Sequence, residues 1–175
     1  NIQSLSCKSK LLYRYLSITN GIENRYHTLN GFNNLLILTI KSKSLKHFCT
    51  TMQGKQIDLT SLPSLVQAMF QFNSIQIILK YCFDNRDSLQ VLSITNNPLV
   101  VLQPMAFDRL SNLNTLNLSY NKIACIYQNT FYGLASLISL DLSNNQIFRT
   151  ESNLFGREMP RNFKIVYTEY DRLCC

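Results

Sequence analysis

Side chains that could carry out catalysis are few in this chain of 175 residues, which holds 2 histidines. Neither His27 nor His47 stands near a serine or carboxylate in a recognisable motif, and His47-Phe-Cys49 lies where a strand pattern ends. With 5 glycines in the chain, no glycine-rich phosphate loop is present either. We therefore predict that the protein is not an enzyme and binds no cofactor.

The 6 cysteines form no C-x-x-C pair, so the sequence predicts no zinc or other metal site. Cys125 stands between two apolar residues, which favours a small buried thiol over a disulfide. For Cys49 and Cys82 the pattern leaves the pairing open. Neighbouring cysteines rarely bond each other, so we expect the disulfide partners of Cys174 and Cys175 to lie outside this sequence.

Asparagines recur with a spacing that suits hydrogen bonding, since Asn97, Asn121 and Asn145 are separated by 24 residues each. An amide side chain both donates and accepts hydrogen bonds, so these residues could join successive turns of the chain in a ladder. Asn117-Leu-Ser119 fits the N-glycosylation acceptor, although it overlaps a recurrent Leu-x-Leu-Ser phrase. We predict a glycan at Asn117 if the chain is secreted.

The three asparagines belong to an apolar pattern, L-x-x-L-x-L-x-x-N-x-L, that begins at Leu89, Leu113 and Leu137. The fourth and sixth positions alternate, as a short strand requires. A phenylalanine follows each copy, and we expect the three rings to fill the wide side of a stack, where the chain returns: Phe107, Phe131 and Phe155. One copy cannot bury its own apolar face, whereas stacked copies can.

The pattern and its period resemble the extracellular class of leucine-rich repeats. The resemblance implies an α/β repeat fold, a curved leucine-rich-repeat solenoid with parallel strands on the concave face and helices or turns on the convex face. We assign 1–160 to the solenoid, irregular over 1–87 and regular over 88–159. The remainder, 161–175, is predicted to hold a last strand and the start of a cysteine-containing hinge.

The irregular part is predicted to hold two early strands and, less regularly, two more before the clear repeats; their centres are Ile18, Ile40, Leu59 and Ile77. Between the last two, the spacing of Leu62, Leu65, Val66, Met69 and Phe70 predicts a helix. Lys43 occupies the ladder position of its turn, where a lysine cannot make the same two-way bond. Near the end, 162–167 predicts the last strand.

In such a solenoid the side chains between the buried leucines point out of the concave sheet and form its surface. We predict that a protein or peptide binds there, with Tyr120 as an aromatic contact, because tyrosine is enriched in binding hot spots. The predicted contact residues are Lys41, Val91, Ser93, Thr95, Asn96, Thr115, Asn117, Tyr120, Ser139, Asp141, Ser143 and Asn144. The alternatives are a merely solvated sheet, or a site on the rim or convex face.

The net charge of +7 comes from the first half of the chain, where basic residues outnumber acidic ones. This half could contact an acidic partner or a glycosaminoglycan. Nucleic acid is not predicted, because the basic residues belong to no recognisable nucleic-acid module. No apolar run is long enough to cross a bilayer, so a membrane link is expected only through a transmembrane part beyond the C terminus.

The end of the chain adds a second resemblance. Leu154-Phe155, the stretch 162–167, Tyr170 and the terminal cysteines resemble the hinge of leucine-rich-repeat G-protein-coupled receptors of the relaxin and glycoprotein-hormone type. This resemblance implies an ectodomain outside the plasma membrane that binds a hormone-like ligand and couples to a transmembrane bundle, with Cys174 or Cys175 as the hinge cysteine. The alternative is a Toll-like or adhesion-type interaction module; an intracellular scaffold would require all six thiols to be reduced.

Overall fold

The computed structural model describes residues 14–19, 29, 32–41, 45, 59, 62–83, 87–157, 160 and 163–166. Its strands, in chain order, are β1 (Tyr15–Thr19), β2 (Ile37–Lys41), β3 (Gln67–Gln71), β4 (Ile77–Ile78), β5 (Val91–Thr95), β6 (Val101–Leu102), β7 (Thr115–Asn117), β8 (Cys125–Ile126), β9 (Ser139–Asp141), β10 (Arg149–Thr150) and β11 (Lys164–Val166). Seven of them form one sheet in the order β1-β2-β3-β5-β7-β9-β11. All its strand pairs are parallel, so each turn of chain stacks on the one before.

The alternation of side chains along each strand decides which face of the sheet packs against the core. Leu92 and Ile94 of β5 are fully buried, whereas Ser93 between them faces outward and is half-buried. The register places Leu92 beside Leu116, and Leu116 beside Leu140, so identical positions of successive repeats form continuous rows. One row closes the core, and its neighbour is left on the concave surface.

A column of phenylalanine rings fills the side of the core away from the sheet. Ring centroids are 5.8 Å apart between Phe83 and Phe107, 5.9 Å between Phe107 and Phe131, and 5.5 Å between Phe131 and Phe155. Phe163 ends the column with an edge contact at 4.7 Å. Such pairs add stability beyond simple burial. The predicted place of the repeat phenylalanines, on the wide side of the stack, is confirmed.

The structure corrects the prediction for 59–79. Leu62 to Phe70 is not a helix, because Gln67–Gln71 is strand β3 of the main sheet. Leu59 lies in no strand, and β4 pairs with β6 in a separate two-stranded sheet instead of joining the main one. The apolar spacing fitted a helix because Ala68 stands where the repeat normally has leucine, while half-buried Val66 and Met69 added misleading apolar positions. The strands predicted around Ile18, around Ile40 and within 162–167 are confirmed as β1, β2 and β11.

The convex side of the described turns consists of tight turns and two-residue strands, and no α-helix occurs in the described ranges. β4 pairs with β6, and β8 with β10. Tyr81, Met105 and Asn129 each donate a backbone hydrogen bond to the equivalent residue one turn later, at 3.1, 2.9 and 3.0 Å. These bonds fix the register between successive turns on the convex side. The part of the chain that the structure describes also contains no helix that could span a membrane.

Candidate functional site

The concave face of the sheet consists of rows of outward-facing side chains. Adjacent strands in a sheet lie roughly 4.8 Å apart, which sets the spacing within each row. The first row contains Ile37, Gln67, Val91, Thr115 and Ser139, all half-buried. A second row runs parallel to it. It begins at Thr39, which is buried at 7% exposure, and continues through half-buried residues: Met69, Ser93, Asn117 and Asp141. The face changes along its length, because β2 and β3 contribute the apolar Ile37 and Met69 beside polar residues, whereas β7 and β9 contribute only small polar side chains.

Most of the predicted contact residues lie on or beside this face, and two details need correction. Thr95 is buried at 7% exposure, and its carbonyl accepts hydrogen bonds from the Nδ2 group of Asn97 and the backbone N–H of Phe72. Asn96, Tyr120 and Asn144 lie beyond the strand ends, in turns. The other predicted residues are half-buried, with their side chains on the outward positions: Lys41, Val91, Ser93, Thr115, Asn117, Ser139, Asp141 and Ser143.

The turn that follows each concave strand presents a further row of side chains, which we call the rim row: Phe72, Asn96, Tyr120 and Asn144. All four have a left-handed backbone, with φ between 54° and 56°. Phe72 and Tyr120 are the large members, 57% and 58% exposed. Phe72 was missed from the sequence because its segment was interpreted as a helix. The available signal was Asn73, which precedes Asn97 by the repeat spacing.

Two polar side chains of the second row bond to their own turns. The Oδ1 atom of Asn117 accepts hydrogen bonds from the backbone N–H of Ser119 at 2.9 Å and from its hydroxyl at 2.7 Å. Similarly, Oδ1 of Asp141 accepts from the N–H of Ser143 at 2.9 Å. Such local bonds fix the strand ends. The Nδ2 group of Asn117 has no hydrogen bond to a described residue.

The asparagine ladder stiffens the turns that carry the rim row. Nδ2 of Asn121 donates to the carbonyl of Ile94 in the preceding turn at 2.7 Å, and Oδ1 accepts from the N–H of Asn97 at 3.1 Å. Asn145 bonds to the carbonyl of Leu118 at 2.9 Å and accepts from the N–H of Ile123 at 3.0 Å. These two-way bonds satisfy backbone groups inside the stack, where water cannot.

Two further rungs complete the pattern. Asn97 donates to the carbonyl of Phe70 at 3.0 Å and accepts from the N–H of Ile75 at 3.2 Å. Asn73, which the sequence analysis did not assign to the ladder, donates to the carbonyl of Ile40 at 2.9 Å. The ladder therefore extends at least one turn further toward the N terminus than the three predicted rungs. Lys43, where the ladder was predicted to be weakened, lies outside the described residues.

The cysteines fall into three groups. Cys82 is disulfide-bonded and buried, and its partner lies outside the described residues. Cys125 is a free thiol, as predicted, although half-buried rather than buried. The other cysteines lie outside the described part of the chain: Cys7, Cys49, Cys174 and Cys175.

The part of the chain that the structure describes brings together few side chains that could take part in catalysis or metal binding. No group of three or more histidine, cysteine, aspartate or glutamate side chains there could hold a metal ion. A cavity of about 960 Å³ opens on the convex side near Tyr132, Phe155 and Arg157, and the described residues that line it include no histidine, cysteine or carboxylate. Both histidines, and most basic residues of the first half, lie outside the described ranges.

Parallel turns stacked in register, an asparagine ladder and a phenylalanine column together define a leucine-rich-repeat solenoid, so the predicted fold class is confirmed. The leucine rich repeat family matches residues 87–147, which carry β5 to β9. Among solved structures, the crystal structure of a TLR13–ssRNA13 complex is similar at 17% sequence identity and a TM-score of 0.41. That similarity covers 94% of this chain and 34% of the other, so this chain spans about a third of that one's length. No curated protein matches the sequence.

We expect Asn117 to carry an N-linked glycan when the chain is made through a secretory pathway, because Asn117-Leu-Ser119 fits the acceptor sequence. A glycan there would restrict ligand access to the part of the concave face around β7. Glycopeptide mass spectrometry before and after removal of N-glycans measures the occupancy. Ser119→Ala, which removes the acceptor hydroxyl, should abolish the modification, whereas Ser143→Ala on the next turn should leave it unchanged. An unmodified Asn117 in the parent chain would contradict the prediction.

Proposed function

We propose that this chain is a binding module that takes a protein or peptide ligand on the concave face of its sheet. The observation that carries the proposal is the pair of outward-facing rows on β2 to β9, whose side chains are in register while their neighbours close the core. A regular, stiff surface of this kind suits a ligand that contacts several turns at once. The exposed rings of Phe72 and Tyr120 beside these rows add aromatic groups, which are enriched at protein interfaces.

The compartment we propose is the extracellular side of the plasma membrane. Disulfides persist mainly in oxidising compartments, and Cys82 is disulfide-bonded. The N-glycosylation acceptor sequence at Asn117 also favours the extracellular side, and the Nδ2 group of Asn117 has no hydrogen bond to a described residue. Both observations weigh against an intracellular scaffold, which would require reduced thiols.

In its most specific form, the proposal is the ectodomain of a receptor for a hormone-like protein or peptide, coupled to a G-protein-linked transmembrane part. This form is supported by the resemblance of the tail to a receptor hinge. The terminal cysteines that carry that resemblance lie outside the described residues, and its test is the sequence that follows Cys175. Apolar spans of about 20 residues there would support it.

Ser93→Arg tests the concave face directly. Ser93 lies in the second row between Met69 and Asn117, and its half-buried side chain points outward, so arginine can extend from the sheet without entering the core. A fluorescent tetramer of the secreted chain is screened against an arrayed library of secreted proteins and peptide hormones. We expect Ser93→Arg to weaken binding of the recovered ligand at least tenfold, because it obstructs the centre of the face.

Gln128→Arg is the matched control, since Gln128 is exposed on the convex side. It should bind like the parent, and both variants should keep the parent's urea midpoint. Equal binding by the parent and Ser93→Arg would place the ligand elsewhere and refute the concave-face proposal.

A further inference from the structure

The two aromatic members of the rim row stand in unusual positions. Their rings are more than half exposed, although large apolar side chains are normally buried. Both residues also have a left-handed backbone, with φ of 54° for Phe72 and 56° for Tyr120. That conformation is unfavourable for bulky residues, whereas asparagine tolerates it. Asn96 and Asn144 occupy the two equivalent turns, which shows what the backbone alone prefers.

The strain is held in place by neighbouring turns. The N–H of Phe72 donates to the carbonyl of Thr95 at 3.2 Å, and the N–H of Tyr120 donates to the carbonyl of Ser143 at 3.0 Å. These bonds prevent the turns from relaxing to another conformation. Local strain that persists in a rigid frame is found preferentially at functional positions.

Tyr81 on the convex side provides a contrast, because it also has a positive φ, of 58°. Its ring is used within the fold: the ammonium of Lys80 lies 4.5 Å from the ring centroid, and the hydroxyl lies 3.8 Å from the sulfur of Met105. Tyr120 has no such ring or hydroxyl contact with a described residue. The contacts among the described residues therefore explain the position of Tyr81 but not that of Tyr120.

Charge distinguishes the two ends of the rim row. The Lys41 ammonium lies 6.0 Å from the ring centroid of Phe72, and it pairs with no carboxylate in the described ranges, where Arg149 and Glu151 form the salt bridge. Asp141 lies at the other end of the sheet, four strands from β2 and roughly 19 Å away. A carboxylate on a ligand is attracted beside Phe72 and repelled near Asp141, which fixes the ligand's direction.

We infer that Phe72 and Tyr120 are paired anchors for a single peptide segment of a partner protein. The two positions are two turns apart, so the segment presents two apolar side chains roughly 10 Å from each other. It carries a carboxylate beside the side chain that meets Phe72, where Lys41 binds it. Exposed aromatic anchors with a neighbouring cation are efficient contacts, since they bring large area with little conformational entropy to lose. The inference rests on the proposed concave-face function and names the class of ligand.

A phage-displayed library of random twelve-residue peptides, selected against the whole secreted chain, supplies the probe. We expect recovered peptides to share an acidic residue and two apolar residues. Phe72→Asn and Tyr120→Asn should each weaken their binding at least tenfold. Both variants should keep or raise the urea midpoint of the parent, because asparagine suits the left-handed turn. Tyr127→Asn, which changes an exposed tyrosine on the convex side, should bind within twofold of the parent.

Peptides that bind both asparagine variants like the parent would overturn the inference, as would a selection that recovers no binder. A lower midpoint for both variants would also overturn it, because the rings would then serve the fold. Ser93→Arg separates the two proposals. If Ser93→Arg abolishes binding while the asparagine variants do not, the concave-face proposal is supported and the anchor inference is wrong. If none of these changes alters binding, both proposals are wrong.

Discussion

Replacing Phe107 by alanine is expected to lower the free energy of unfolding by about 3–5 kcal/mol, the usual range for a buried phenylalanine. Phe107 is fully buried, and its ring stacks between those of Phe83 and Phe131. Removing it takes away the burial of one ring and both stacking contacts, and it leaves a cavity that crosses three turns. Because the rings lie in a rigid column, the neighbouring turns cannot collapse easily into the space.

Urea unfolding followed by circular dichroism measures the change for Phe107→Ala. Phe148→Ala is the control, since Phe148 is 62% exposed and outside the ring column. That change should shift the free energy of unfolding by no more than about 0.5 kcal/mol. Equal effects of the two substitutions would contradict the assignment of the ring column to the core.

Replacing Asn121 by alanine is expected to lower the free energy of unfolding by about 1–3 kcal/mol, because buried backbone groups lose their partners. Its amide group donates to the carbonyls of Ile94, Leu118 and Ser119, at 2.7, 2.8 and 3.2 Å. It also accepts from the N–H of Asn97 at 3.1 Å. These groups lie inside the stack, so water cannot replace the amide without opening it.

Asn114→Ala is the matched control for Asn121→Ala. Asn114 is half-buried on the preceding loop, and its side chain has no hydrogen bond with a described residue. Asn121→Asp keeps an acceptor but turns a negative charge toward carbonyl oxygens, so it should destabilise at least as much as alanine. Denaturant midpoints that match the parent for both Asn121 variants would contradict the ladder.

The regular part of the fold could be predicted because its residue types repeat with one spacing. Leu92, Leu116 and Leu140 occupy equal places in three copies, and the structure pairs them in adjacent strands. β3 was missed because Ala68 and Phe70 replace the usual leucines, and a single copy of a changed pattern carries no periodicity of its own. Asn73 precedes Asn97 by the repeat spacing, which indicates that the segment before it is a repeat strand. The apolar pattern of that segment indicated a helix instead.

The sequence predicted which strand residues face outward at the candidate site, but not the burial of Thr95 or the composition of the rim row. Alternation places Ser93 and Asn117 on the outward side without knowledge of the fold. It cannot show that Thr95 is buried, because alternation places Thr95 on the same outward side as Ser93. Nor can it show that Phe72 and Tyr120 share one row, since that follows from β3 being a strand of the main sheet.

The asparagine ladder has a direction. Asn97, Asn121 and Asn145 each reach back to a carbonyl and an N–H of the preceding turn, and none of their described side-chain bonds reaches forward. A turn is therefore complete only when the asparagine of the next turn has arrived. During synthesis at about 5–20 residues per second, each turn waits roughly 1–5 s for that residue. A solenoid that forms during synthesis would therefore carry, at its growing edge, one turn whose inner carbonyl and N–H groups still lack the asparagine of the next turn.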